Sequence, residues 1–240
     1  MNADLRDVEA LVFDVFGTLV DWRTSLIDDL TAFGDARGMR ADWPSFVDDW
    51  RGEYVPSMDR VRRGTLPWTT IDVLHRESFD RLAQRYGIAG ELDGAARAWC
   101  VDRWHRLRPW PDSVAGLERL RRRFILGTLS NGNVRLLTDL VKSAPLPMDV
   151  VLSAELFRHY KPDAEVYRGA VALLGTAPHR VMLVAAHNND LNAAAREGMR
   201  TAFVARPAEY GPRQDRDLRA DAGIDVAVRD LGELADHLGA

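Results

Sequence analysis

Four polar features of this chain fall at one kind of place, just past a short apolar run. Asp14 follows Leu11-Val12-Phe13, and Ser130-Asn131 follows Phe124 to Leu129. Lys161 lies in the loop beyond Val150-Val151-Leu152, and Asp190 lies just past Val181 to Val184. Apolar runs of this length read as buried parallel strands. Open parallel sheets carry their sites at the carboxyl ends of such strands. One acid at one strand end means little, because it also suits a turn or helix cap. Four polar features at four strand ends converge on one crevice. The chemistry on offer is that of a half-buried carboxylate, Asp14, kept ionised by donors or a cation. The turn after it exposes backbone amides from Phe16 to Thr18, which can orient a carboxylate or hold an anion. Lys161 is the obvious cation, since only it and Lys142 are lysines among 32 basic residues. Taken alone, Lys161-Pro162-Asp163 reads equally well as a solvated loop with a helix cap.

These positions require a scaffold, and the pattern from Pro109 onward supplies one. Helical stretches at Val114 to Arg123, Val134 to Lys142, Ala164 to Gly175 and Asn189 to Gly198 alternate with strands. The strands are Phe124 to Leu129, Val150 to Leu152, Val181 to Val184 and Thr201 to Val204. Such alternation implies a parallel sheet with crossover helices. The first strand stands apart from the rest by roughly ninety residues. Leu26, Leu30 and Phe33, then Phe46, Trp50 and Tyr54, recur in that interval at helical spacing. Pro67 and Gly87 to Gly90 punctuate it. All seven tryptophans lie between Trp22 and Trp110, as expected for the core of a helical subdomain. The predicted fold class is α/β, a doubly wound parallel-sheet (Rossmann-like) core with a helical cap inserted after the first strand. The core takes residues 1–20 and 107–240, and the cap takes 21–106.

Bulk properties narrow the partners. A chain of 240 residues suits one core domain with a sizeable insertion. A net charge of -4 gives no reason to expect nucleic acid or an anionic membrane. The single cysteine, Cys100, permits no internal disulfide and suits a reducing cytosol, so the expected location is cytoplasmic. The N-terminus lacks an apolar signal region, and no window approaches the length of a membrane span.

Phe13-Asp14-Val15-Phe16-Gly17-Thr18-Leu19-Val20-Asp21 resembles the first motif of the haloacid dehalogenase superfamily. Leu129-Ser130-Asn131-Gly132 is similar to its second motif, Tyr160-Lys161-Pro162-Asp163 to its third, and Asp190 to the acid of its fourth. The ordered set and the cap insertion match over essentially the whole chain. The superfamily comprises mainly phosphatases, with a smaller (S)-2-haloacid dehalogenase branch. Phosphatases use a second aspartate two residues after the nucleophile as general acid, where this chain has Phe16. They hold Mg²⁺ with a fourth-motif aspartate four residues before the last, where this chain has Ala186. A Mg²⁺ site needs oxygen ligands and charge, so both departures disfavour a phosphatase. A halide leaves without a proton, so Phe16 is harmless to dehalogenation.

The dehalogenase branch is also resembled in the cap. Trp50-Arg51 is similar to a tryptophan-arginine pair whose arginine accepts the departing halide. Among so many arginines, a solvated surface role is the base expectation for Arg51. Tyr167 resembles a tyrosine near that site, although beside apolar residues on a helix it also suits plain core. In the fourth motif the best-known members carry Ser-Ser-Asn and an aromatic residue. This chain has Ala185-Ala186-His187-Asn188-Asn189, and nothing in the sequence decides whether His187 is neutral or charged.

The resemblance implies metal-independent hydrolysis of a small (S)-2-haloacid to an (R)-2-hydroxy acid, with no cofactor. Its partners are the haloacid, a halide ion and water, and the family's frequent dimers make a homodimer an expectation. Asp14 is the nucleophile. Thr18, Ser130 and Lys161 balance its charge, Arg51 and Asn131 take the halide, Tyr167 stands close, and Asp190 activates the water that cleaves the ester. Val15, Phe16, Trp50, Val55, Trp68, His187 and Asn188 are expected around the pocket. A Mg²⁺-dependent phosphatase and a silent binding protein on the same scaffold are the competing readings.

Overall fold

The computed structural model describes residues 5–240. Strand β1 (Ala10–Phe13) and a two-residue β2 (Val20–Asp21) lead into five helices: α1 (Trp22–Arg37), α2 (Trp43–Gly52), α3 (Tyr54–Arg62), α4 (Ile71–Arg85) and α5 (Gly94–Asp102). Strand β3 (Arg108–Pro109) then pairs antiparallel with β2. Strands and helices alternate beyond it: α6 (Ser113–Leu120), β4 (Ile125–Ser130), α7 (Val134–Ser143), β5 (Val150–Ser153), α8 (Ala164–Leu174), β6 (Val181–Ala185), α9 (Asn188–Arg196) and β7 (Arg200–Val204). Strand β8 (Val226–Val228) and helix α10 (Leu231–Leu238) complete the chain.

Six strands form one parallel sheet in the order β5-β4-β1-β6-β7-β8. β1 and β6 are buried along their whole length, because helices cover both faces. That explains their unbroken apolar sequence, and each buried large apolar side chain contributes roughly 1.5–3 kcal/mol. Phe13 is level with Thr128 of β4 and Val184 of β6. The chain first builds outward on the β4 side of β1, then returns to build on the β6 side. The carboxyl end of β1, where Asp14 begins, is therefore the point at which the strand order reverses, the usual place for a site in such sheets. Up to Val204 the expected strands and helices of the sheet region agree with the observed ones within three residues, while the two-residue β2 and β3 have no expected counterpart. Beyond Val204 the sequence reading assigned nothing, and β8 and α10 are additions. β8 has only three residues, too few for a period-2 pattern to register.

The helical insertion has an aromatic core. Trp50 packs on Phe79 (ring centroids 5.0 Å) and Trp104 (5.5 Å), and Phe46 on Phe79 (5.4 Å). Trp22, Trp43, Trp50 and Trp104 are buried. Polar contacts tie this insertion to the sheet domain. Asn133 donates to Asp72 (2.9 Å), His105 bridges Asp72 and Asp139 (3.1 and 3.0 Å), and Arg62 pairs with Asp163 (2.7 Å). No helix among the described residues is long and apolar enough to cross a membrane.

Candidate active site

Asp14 leaves β1 into a turn made possible by Gly17, whose φ is +86°. A Cβ there would also stand 2.0 Å from an oxygen of Glu209, so this position needs glycine for both backbone and space. The turn folds Thr18 back to donate to Asp14 Oδ2 (2.9 Å), while Thr18 Oγ1 accepts the Ala186 backbone N–H (2.9 Å). Arg206 donates to the Thr18 carbonyl (3.0 Å) and forks onto Asp112 (2.8 and 2.8 Å), fixing the same loop from the β7 side.

Lys161 is buried between two acids. Its Nζ donates to Asp14 Oδ1 (3.0 Å), to Asp190 Oδ2 (2.5 Å) and to the Leu129 carbonyl (2.8 Å). The side chain of Asn131 accepts the Lys161 backbone N–H (2.8 Å), which holds the third-motif loop against the second. Tyr167 donates to Asp190 Oδ1 (2.6 Å), so both oxygens of Asp190 are engaged. His187 Nδ1 stands 3.1 Å from Asp14 Oδ2, and its Nε2 is 3.0 Å from both oxygens of Glu209. Trp22 Nε1 donates to the same Glu209 (3.0 Å).

The charges follow from this packing. Burial alone would raise the pKa of Asp14, but the Lys161 ammonium and the His187 bond outweigh it and hold the carboxyl well below its usual range. Burial raises Asp190, and the neighbouring Asp14 charge adds to the rise against the pull of Lys161. Burial opposes the charge on His187, yet Glu209 and Asp14 raise its pKa well above the ordinary value. Lys161 is likewise raised, burial being outweighed by Asp14 and Asp190.

The site opens on a cavity of about 350 Å³ lined by Asp14, Phe16, Asn131, Lys161, Tyr167 and Asp190 from the sheet side, and by Arg51, Tyr54, Val55 and Met58 from the insertion. A volume of this order suits a small ligand. Phe16 lies edge-on to Tyr54 (6.3 Å) and Trp104 (5.7 Å). The Arg51 guanidinium lies 4.2 Å over the Tyr54 ring, and its buried Nη1 makes no hydrogen bond. Thr18 and Ser130 are buried beneath the site, and Ser130 accepts the Gly132 N–H (3.3 Å).

Four residues expected around the pocket do not line it. Val15 is wholly buried, and its carbonyl takes the Leu19 N–H that closes the turn. Trp50 lies in the insertion's aromatic core, with Nε1 donating to the His75 carbonyl (3.1 Å); its helix turns Arg51, not Trp50, to the cavity. Trp68 packs on Tyr160 (4.7 Å). Asn188 is not among the lining residues, its amide being held by Asp217 (3.0 Å), which does line the cavity, and by the Arg219 carbonyl. The next residue, Asn189, reaches the cavity instead. Tyr54, Met58, Glu209 and Tyr210 were not foreseen. Tyr54 has a signal, lying three residues after Arg51 at helical spacing. Glu209 and Tyr210 lie in a Pro-Gly-rich loop after β7, a fifth strand end that the same reasoning covers.

A divalent cation does not fit this donor set. Lys161 lies on both carboxylates, His187 takes the second oxygen of Asp14, and Ala186 has no side-chain oxygen to offer. Among the described residues no three acidic, histidine or cysteine side chains are grouped to hold a metal.

Residues 8–198 match the haloacid dehalogenase-like hydrolase family, and the chain belongs to that family of hydrolases. Its fold superposes on an L-2-haloacid dehalogenase, PA0810, with a TM-score of 0.94 and 49% identity, covering 97% of this chain and 99% of that one. It superposes on a defluorinating L-2-haloacid dehalogenase, Rha0230, with a TM-score of 0.95 and 41% identity, covering 97% and 96%. An (S)-2-haloacid dehalogenase of Xanthobacter autotrophicus is 30% identical over 210 residues, 83% of this chain and 76% of its own length.

Proposed function

We propose that the protein hydrolyses small (S)-2-haloacids to (R)-2-hydroxy acids through an ester on Asp14, without a metal. The observation that carries this reading is an ionised, buried Asp14 opening on a small cavity, with Phe16 where a phosphatase keeps its acid. Similarity to L-2-haloacid dehalogenases supports it. In this reading an Asp14 oxygen bonds to C2 from the face opposite the halogen. The carbon-halogen bond breaks, and the halide leaves with the electron pair toward Arg51 and Asn131. Residues 21–106 act as a cap whose aromatic wall keeps water from solvating the nucleophile.

For the second half, His187 with Glu209 is the better base than the Asp190 of the sequence reading. Both oxygens of Asp190 are held by Lys161 and Tyr167, whereas His187 touches the carboxyl group to be attacked. Esterification removes the Asp14 charge, so His187 loses one of its two acidic partners and gives up a proton. It then takes a proton from the water that attacks the ester carbonyl. Thr18 and Lys161 stabilise the oxygen on which negative charge develops. As the tetrahedral intermediate collapses, its hydroxyl proton passes to the departing oxygen of the product. Asp14 returns as a carboxylate and His187 as an imidazolium. One proton is released per turnover, as the overall reaction requires.

The test is halide release from C2 to C4 2-haloacids of both configurations, with and without chelator. Halide from the (S) series alone, unchanged by chelator, is expected. Absence of halide release, or phosphate-ester hydrolysis abolished by chelator, would sink the reading.

A further inference from the structure

Among the described residues, five buried side-chain nitrogens lack a hydrogen-bond partner. Four of them lie on three neighbouring side chains: Arg51 Nη1, both ring nitrogens of His75, and Trp104 Nε1. Orphaned buried donors are rare in folded proteins, and a cluster of them calls for a cause. The His75 ring stacks on Trp104 with centroids 4.2 Å apart and lies 5.9 Å from Tyr54. Arg51 covers Tyr54 and also Trp22 (5.3 Å), which stacks on Trp104 (6.3 Å). Phe16 and Tyr54, both lining the cavity, pack against this group.

The chemistry of the cluster is one-sided. Guanidinium and indole offer only donors, and a neutral imidazole offers one. The acid one turn before His75 on α4, Asp72, is already taken by His105 and Asn133. Burial pushes His75 down to about 3 with Arg51 adding to the effect, although Asp72 works against it. The cluster thus carries a single positive charge, that of Arg51, with N–H donors around it. Its natural complement is a small monovalent anion without protons of its own.

We infer that His75 and Trp104 complete, with Arg51, the receptor for the departing halide, adding N–H donors that Arg51 alone does not supply. This rests on the dehalogenase reading above. As the Asp14 oxygen bonds to C2, the halogen leaves with the bonding pair, and no proton is consumed. His75 and Trp104 receive charge that exists only after the bond begins to break, so they act on the chemical step more than on substrate binding.

The test measures single-turnover ester formation from 2-chloro and 2-bromo acids, together with chloride product inhibition. Trp104→Phe keeps a ring in the stack and removes the N–H, and His75→Phe is its companion. Folding is checked by thermal unfolding. Folded Trp104→Phe should form ester about tenfold more slowly or worse, with the larger loss on the chloro substrate, because the smaller halide is the stronger acceptor. Chloride inhibition should weaken by a similar factor while KM changes little. If His75→Phe does not fold, Trp104→Phe alone decides. A folded Trp104→Phe with wild-type ester formation and chloride inhibition overturns this inference and leaves the dehalogenase reading intact. Wild-type protein that forms no ester from any haloacid overturns both.

Discussion

Among the described residues, Arg51 carries the one guanidinium in the cavity wall whose Nη1 is buried without a hydrogen bond; it packs over aromatic rings, and Asp14 and Glu209 are the acids that act on its charge. Removing a charge that meets a leaving anion withdraws roughly 2–4 kcal/mol of transition-state stabilisation, by analogy with oxyanion-hole donors. Arg51→Ala should therefore stay folded and lose about a hundredfold or more in kcat, and Arg51→Lys should not recover it, because the planar fork is gone. Steady-state kinetics with circular dichroism checks both; a folded Arg51→Ala with normal kcat refutes the role. His187 poses a different test. If it is the base for ester hydrolysis, His187→Asn blocks the second step after the first has run, and mass spectrometry of the intact protein should find the substrate's carboxyalkyl group accumulated as an ester on Asp14. An Asp190→Asn variant that accumulates the ester while His187→Asn turns over normally would return the water to Asp190.

At the scale of elements, the insertion is fastened to the sheet domain through His105, which touches Asp72 of α4 and Asp139 of α7. Burial lowers its pKa, but the two carboxylate bonds outweigh this, and the net shift is upward. A raised folded-state pKa means stability that is fully present below the unfolded value, about 6.5, and lost as pH rises through the folded value. His105→Asn should thus destabilise by about 2 kcal/mol at pH 6, with the difference from wild type shrinking above neutrality. Denaturant unfolding across pH measures this. The comparison with wild type matters, because His187 is raised too and contributes the same sign of dependence in both proteins. A difference independent of pH would show that His105 packs without acting as a charged clasp.

For the whole molecule, the most legible part of the sequence was the part where burial on both faces forces apolar runs. β1, β4, β5, β6 and β7 announce themselves so, and their ends point to Asp14, Ser130-Asn131, Lys161 and Asp190. What sequence could not show is which side chain of a helix turns to the cavity. Trp50 and Arg51 are neighbours in sequence, yet only Arg51 lines it. Nor do local patterns reveal contacts made across the chain, such as Glu209 reaching His187 from the loop after β7, or the His75–Trp104 stack. The assembled charges also bear on metals. With Lys161 bonded to Asp14 and Asp190, activity should survive exhaustive chelation, and a large loss restored by Mg²⁺ would sink the dehalogenase reading. The central claim is that Asp14 itself attacks C2. In that case the new hydroxyl oxygen comes from the Asp14 side chain, and water replaces it when the ester is cleaved at the acyl carbon. Single turnover with enzyme in excess in ¹⁸O-water should leave the label in the Asp14 peptide and unlabelled (R)-2-hydroxy acid from the (S)-2-haloacid. Labelled first product with an unlabelled Asp14 would mean that water attacks C2 directly, and would contradict the account.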